Sequence, residues 1–341
     1  MKKTILLAIV APAFFFGCSR YEVPGDLQVP GEPIGLNLTG TSVPSDAVAG
    51  DTKAQTYTTE NLDSLYVDCY FADTHELYFS DQFKKNSAGE WKTSKVHYWL
   101  LGKEFDFVFR TEIESMDHYS FNPETLTGTF DYEAVEFSDA KDMMLCVAPA
   151  RSQKTCTKPG AVDVVMEHTL SAIRFKASAE MPDQVVFNEI SLSNMRVTGI
   201  CTFSGAVKED LTTKTDIKWK VSKLYNFDIA ANYSRGRILD GLEGVDGLVS
   251  GEDFTAGEYI DKNQILLENT FLVLPGQKLS EFGVRYYTGM LTKKFVDVDV
   301  ELERSKCYIF VLNVTARNVN VEKSFILNDW IPTAGINIPV Y

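Results

Sequence analysis

The chain has 341 residues, 45% of them hydrophobic and 12% aromatic, and its 47 Asp and Glu against 33 Lys and Arg give a formal net charge of −14. The basic residues are scattered, with no polybasic run, which excludes a nucleic-acid partner because phosphate binding needs a basic stripe. The acid excess favours a solvated, self-repelling surface, and the length allows about two domains with cores of their own.

The chain opens on Lys2 and Lys3, followed by an apolar run from Ile5 to Phe16 that Pro12 interrupts and Gly17 ends. The run is shorter than the about 20 residues of a membrane-spanning helix. Basic, then apolar, then small is the order of a secretory signal. Gly17-Cys18 resembles the lipobox of bacterial lipoproteins, where the cysteine is acylated (palmitate is one such chain) and becomes the new N-terminus. An ordinary signal peptide cut nearby, or an uncleaved anchor, is the other reading. Either way the chain is expected to leave the cytoplasm. Residues 1–17 are read as the signal and 18–33, rich in Pro and Gly, as a tether.

"PIGLNLTG" (33–40) is a candidate first strand, and residues 41–61 are polar and irregular. From there a period of two dominates, the mark of half-buried strands. In "SLYVDCYF" (64–71) Leu65, Val67, Cys69 and Phe71 share a face. In "EFDFVFR" (104–110) Phe105, Phe107 and Phe109 lie opposite Glu104, Asp106 and Arg110. "HYWLLGKEF" (97–105) reads as a hairpin around Gly102-Lys103, and "LTGTFDYEAVEF" (126–137) and "MMLCVAPA" (143–150) as further strands. The polar, Pro-Gly-containing "RSQKTCTKPGA" (151–161) marks a domain boundary. A second strand-rich set follows at 168–180, 185–195, 264–275, 282–289, 294–304 and 307–316, with "LTKK" (291–294) as a turn region. "FILNDW" (325–330) and "INIPVY" (336–341) close the chain, and residues 231–262 form a long, Gly-rich, acidic loop. The expected fold is all-β, two tandem antiparallel sandwiches over residues 34–157 and 158–341.

Catalytic chemistry is hard to find. His75-Glu76 lacks the second histidine of a zinc-protease motif, and the glycines of "GLEGVDG" (241–247) have no strand-to-helix setting. The 4 histidines are far apart, and no paired Cys/His spacing points to zinc. Neither an enzyme, a cofactor nor a metal centre is expected. Of 6 cysteines, Cys18 is assigned to lipid, Cys69 and Cys307 read as buried free thiols, and Cys146 and Cys156 are close enough in sequence to bridge. "VDVDVELE" (296–303) puts Asp297, Asp299, Glu301 and Glu303 on one strand face, either an exposed face that discourages edge pairing or a calcium site. Trp91, Trp99, Trp219 and Trp330 are core residues or sugar platforms.

Taken in order, "HTLSAIRFKASAE" (168–180), "EISLSNMRVTGICTFSG" (189–205), "IKW" (217–219), "FLVLPGQ" (271–277) and the late "ILNDW" (326–330) resemble the fimbrillin family of Bacteroidales, the type V pilins. "GDTKAQT" (50–56) resembles the segment after that family's first strand, with Lys53 where the family has arginine. The resemblance implies two transthyretin-like β-sandwiches behind a lipoprotein signal, export to the outer membrane and cell surface, and assembly into a fimbrium. It implies that proteolysis between Lys53 and Ala54 releases the first strand, and that a strand from another subunit fills the groove. The donor would be the C-terminus, where Ile336, Ile338 and Val340 alternate and Pro339 suits an added strand. Such head-to-tail contacts do not close, so they build filaments. Expected partners are other fimbrial subunits, the membrane through the N-terminal lipid, and a host protein or glycan receptor for adhesion. The alternative is a surface-anchored, glycan-binding lipoprotein.

Overall fold

The computed structural model describes residues 30–41, 62–111, 116–133, 142–179, 186–207, 213–222, 227–236, 265–266, 270–287, 290–314 and 319–324. In these the regular structure is almost entirely strand. The first half holds β1 (Pro30–Pro33), β2 (Gly35–Thr41), β3 (Ser64–Phe71), β4 (Leu77–Lys85), β5 (Trp91–Thr93), β6 (Tyr98–Leu100), β7 (Phe105–Arg110), β8 (Met116–Asn122), β9 (Thr127–Glu133) and β10 (Met144–Arg151). Next come β11 (Ala161–His168), β12 (Ser171–Ala179), β13 (Val186–Met195), β14 (Thr198–Val207), β15 (Thr213–Val221) and β16 (Phe227–Gly236). The last are β17 (Ile265–Leu266), β18 (Phe271–Val273), β19 (Lys278–Tyr287), β20 (Leu291–Glu301), β21 (Cys307–Val314) and β22 (Val319–Ser324). Among the described residues no helix is long and apolar enough to cross a membrane.

Seven strands form one sheet in the order β2-β11-β10-β7-β3-β4-β5. It curls until its edge strands β2 and β5 approach each other, giving a nearly closed barrel. The aromatic alternation explains the curl. Phe105, Phe107 and Phe109 point inward with Leu65, Val67, Cys69, Phe79 and Phe83, and only a wrapped sheet takes so many large side chains out of water. The short sheet β1-β6 lies against it.

The other face of this sheet is also covered, by the sheet β15-β14-β9-β8. Along β10, Met144, Cys146 and Ala148 enter the barrel core, while Leu145 and Val147 enter a larger core with Phe130, Cys201 and Phe203. At Gly205 a side-chain carbon would meet Val147 Cγ1 at 2.3 Å, so β14 approaches β10 only because it carries a glycine there. The larger core continues into two further sheets, β17-β12-β21-β22 and β16-β13-β19-β20, where Phe175, Phe271, Phe282 and Phe310 meet.

Several expectations change. Pro30–Pro33, assigned to the tether, is strand β1. The turn at Gly102 forms, with φ 80 and the Lys103 N–H donating to the Leu100 carbonyl at 3.1 Å, but β6 pairs with β1 and not with β7, so there is no hairpin. Residues 291–294 are strand, not turn, because β20 begins at Leu291. Residues 231–236, assigned to the long loop, belong to β16. β11 begins after the expected division at residue 157 yet joins the barrel, and β14 pairs with β9. Antiparallel pairing is not universal either, since β2 runs parallel to β11 and β12 parallel to β21.

The link from β11 to β12 is stitched from several sides. His168 and Asp142 are both fully buried, with Nδ1 3.0 Å from Oδ1. The His168 carbonyl accepts from Arg304 and from the Ser305 hydroxyl, at 3.1 and 2.7 Å. The Thr169 carbonyl accepts the Trp219 indole N–H at 2.7 Å.

Candidate functional site: the first strand and its seam

The segment Pro30–Thr41 enters from the N-terminal side and becomes the edge of the barrel. Ile34 and Leu36 are buried in the barrel core, 5% and 8% exposed. The parallel register sets Gly35 against Ala161, Leu36 against Val162, Asn37 against Asp163 and Leu38 against Val164, and a bulge follows. Among the described residues β11 is the one strand paired with β2.

Three polar features fix this register. The first is the Gly160 carbonyl, which accepts the Gly35 N–H at 2.9 Å and the buried Trp99 indole N–H at 2.8 Å. Gly160 has φ +69, a conformation that suits glycine, and a side-chain carbon there would meet the Pro33 carbonyl oxygen at 2.6 Å. The second is the side chain of Asn37, which donates to Thr157 Oγ1 at 3.3 Å and to Asp163 Oδ1. Thr157 also gives Asp163 its hydroxyl at 2.6 Å and its N–H at 2.9 Å. Burial alone would raise the Asp163 pKa, but the bonds from Thr157 and Asn37 outweigh it and hold the carboxyl below its ordinary value. The third is the Ile34 N–H, which donates to the His97 carbonyl at 2.7 Å.

On its other side β2 faces a cavity of about 540 Å³ at the seam with β5. Leu36, Leu38 and Trp91 line it with Lys85, Lys92 and Lys158. A second cavity, of about 650 Å³, opens at the end of the β9–β14–β15 sheet and is lined by His118, Asp131, Tyr132, Glu133 and Lys220. His118 and Asp131 face each other across 3.1 Å there, both well exposed.

Gly17, Cys18, Lys53, Ala54, Ile336, Ile338 and Val340 lie outside the described residues, as do "FILNDW" and Trp330. "PIGLNLTG" does form a strand, and at a sheet edge. The residues that hold it, Trp99, Thr157, Gly160 and Asp163, had no signal pointing to β2. Pro159-Gly160 marked a turn, and parallel pairing leaves no sequence mark.

Trp99 is fully buried and presents no sugar platform, while Trp219 is half-buried, packed on Phe130 and Tyr132 with its indole N–H bound to the Thr169 carbonyl. Asp297, Asp299 and Glu301 are exposed while Val298 and Val300 are buried, and β20 is an edge strand. Lys278 pairs with Asp299 at 2.5 Å and Lys306 with Glu303 at 2.6 Å. Among the described residues no group of three or more His, Cys, Asp or Glu could hold a metal ion. Cys69, Cys146, Cys156, Cys201 and Cys307 are free thiols, so Cys146 and Cys156 do not bridge. Burial pushes the Cys156 and Cys307 thiols up to about 11.

No protein-family model matches the chain. No curated protein matches it either. Solved structures do. A candidate cell-adhesion protein of Bacteroides ovatus ATCC 8483 superposes with a TM-score of 0.54 at 12% identity, covering 90% of this chain and 99% of that one. A fimbrial protein of Bacteroides vulgatus ATCC 8482 gives 0.51 at 11% identity, with 88% and 99% covered. A candidate cell-adhesion protein of Bacteroides uniformis ATCC 8492 gives 0.50 at 12% identity, with 79% and 92% covered. At these identities the likeness is one of fold: the chain shares its all-β, multi-sheet architecture with fimbrial and candidate cell-adhesion proteins of Bacteroides.

Proposed function

We propose that the chain is a non-enzymatic structural subunit of a fimbria, with two transthyretin-like sandwiches, exported as a lipoprotein acylated on Cys18 and displayed at the cell surface. The fold shared with the Bacteroides vulgatus fimbrial protein supports the fimbrial part of this reading. The sequence pattern around Gly17-Cys18 supports the lipid anchor and, with it, the outer membrane.

The observation that carries the assembly mechanism is the position of β2. It is an edge strand, paired to β11 alone among the described residues, and it covers part of the barrel core with Ile34 and Leu36. A cut between Lys53 and Ala54 would free β1 and β2 from the rest of the chain. Their departure would leave β11 as an open edge with the barrel core beside it, the arrangement that accepts an added strand through main-chain bonds and alternating side chains. The C-terminal segment with Ile336, Ile338 and Val340 is the proposed donor, and each insertion would extend a filament. Lys158 and Lys85 at the seam give the incoming strand a basic rim.

The test is limited digestion of the purified precursor with a Lys-specific protease, followed by electrophoresis without boiling. Cleavage at Lys53 should yield ladders, and a chain truncated after Trp330 should be cut equally well but form none. A cut chain that stays monomeric, or ladders from the truncated chain, would sink the mechanism.

The alternative, a glycan-binding surface lipoprotein, has one observation in its favour: the cavity with Tyr132, His118, Asp131 and Glu133. A sugar bound there should raise the melting temperature. A glycan panel without any such shift removes this reading.

A further inference from the structure

Three of the nine exposed large hydrophobic side chains among the described residues fall within six consecutive residues on and beside β6. Val96 is 64% exposed, Leu101 58% and Tyr98 42%. The backbone explains the grouping. His97 and Trp99 turn inward, His97 stacking on Phe79 and Trp99 entering the core, so Val96 and Tyr98 alternate outward. Pro33 pairs opposite Tyr98 and adds another exposed apolar ring. The Tyr78 hydroxyl donates to the Tyr98 carbonyl at 3.0 Å and ties β6 to β4. The segment is held rigidly, because Asp81 accepts from Ser94, Lys95 and His97 just ahead of it.

β1 is also the strand nearest the proposed anchor. Only residues 19–29 lie between Cys18 and Pro30. A chain of that length reaches at most about 40 Å. The apolar face therefore stays within reach of whatever Cys18 is fixed to.

We infer that this face, Pro33, Val96, Tyr98 and Leu101, rests on the lipid surface in which the Cys18 chain is anchored. Exposed aliphatic and tyrosine side chains on a fixed ribbon suit the interfacial layer of a bilayer. The charged residues adjoining the face in the chain, Glu32 and Glu104 against Lys95 and Lys103, cancel and give no net attraction to anionic lipid. The contact is thus apolar and favours zwitterionic headgroups. It orients the barrel on the membrane before any cleavage, and cleavage at Lys53 would end it by removing the tether. The inference rests on the proposed acylation of Cys18.

The experiment takes the protein from its native envelope, measures its intact mass, and reconstitutes it in phosphatidylcholine vesicles. Hydroxyl-radical footprinting then compares vesicles with a soluble, unanchored chain that begins at Ser19 and so keeps β1 and β2. Tyr98 and Leu101 should be oxidised at least threefold more slowly on vesicles, while Ile200 and Phe295, exposed on other sheets, serve as unprotected references. In Tyr98→Asp the protection of Leu101 should be lost, with near-ultraviolet dichroism showing the fold intact. An acylated protein with unchanged oxidation at Tyr98 and Leu101 overturns this inference alone. A mass without acyl chains overturns the anchor reading and this inference together.

Discussion

The indole N–H of Trp99 and the backbone N–H of Gly35 converge on one oxygen, the carbonyl of Gly160, at 2.8 and 2.9 Å. A core side chain thereby fixes the acceptor on which the first barrel strand hangs. Trp99→Phe removes the donor and leaves space in a fully buried site, so it should cost about 1–3 kcal/mol. Amides of residues 35–38 should exchange faster than those of β3. Equal acceleration throughout the barrel would mean that Trp99 only fills the core.

Gly160→Ala tests the same junction from the other side. The residue has φ +69, and the added carbon would lie 2.6 Å from the Pro33 carbonyl, a backbone atom that cannot turn away. The left-handed conformation alone costs alanine about 1–2 kcal/mol. The expected outcome is a folded barrel with β1 and β2 loosened, seen as faster proteolysis between residues 30 and 41. Resistance equal to that of the parent protein would show that the turn relaxes without moving Pro33.

Asp81 gives a pH prediction. Burial works to raise its pKa, but bonds from His97, the Gln82 N–H, the Ser94 hydroxyl and the Lys95 N–H outweigh it and bring the carboxyl down to about 2. A carboxylate depressed on folding adds stability above its unfolded value near 4, and that stability fades as pH falls towards 2. From 3.8 to about 2 the contribution is about 2 kcal/mol. Asp81→Asn should be less stable by about that much at pH 7 and converge with the parent near pH 2, measured by urea unfolding. Parallel curves would assign the loss to packing alone.

His168→Ala should be the most damaging of these changes. Asp142 and His168 are both 0% exposed, and removing the imidazole opens a cavity and takes one hydrogen bond from the buried carboxyl. The cavity and the lost buried hydrogen bond together cost about 3–5 kcal/mol. Because the pair adjoins the link between β11 and β12, one cooperative transition should split into two, visible by calorimetry. A single transition at lower temperature would place the coupling elsewhere.

Much of this architecture was legible in the alternation of the sequence. Residues 64–71 were bounded correctly because their inward residues, Leu65, Val67 and Cys69, form an unbroken apolar row. "EFDFVFR" was half legible. Its phenylalanines point into the barrel, but Asp106 and Val108 are buried too, because a second sheet covers that face. Alternation reports which face a residue is on, and it does not report how many faces are covered. Nor does it name a neighbour: residues 33–40 read as a strand, while the parallel partner in residues 161–168 did not. Lys293 and Lys294 suggested a turn, yet an edge strand accepts lysines readily. Asn37 and Asp163 meet across 126 positions, and their pairing exists only once the barrel has closed.

That separation orders events in time. β2 is made early, but its partner β11 begins at Ala161. Until some 120 further residues have emerged, Ile34 and Leu36 have no pairing strand, and closing so long a loop is slow. The first barrel strand to leave the ribosome is thus among the last to dock. A chain caught before that docking would carry this segment loose beside an open β11 edge, and for that interval its own arm competes for the edge with any other extended strand nearby.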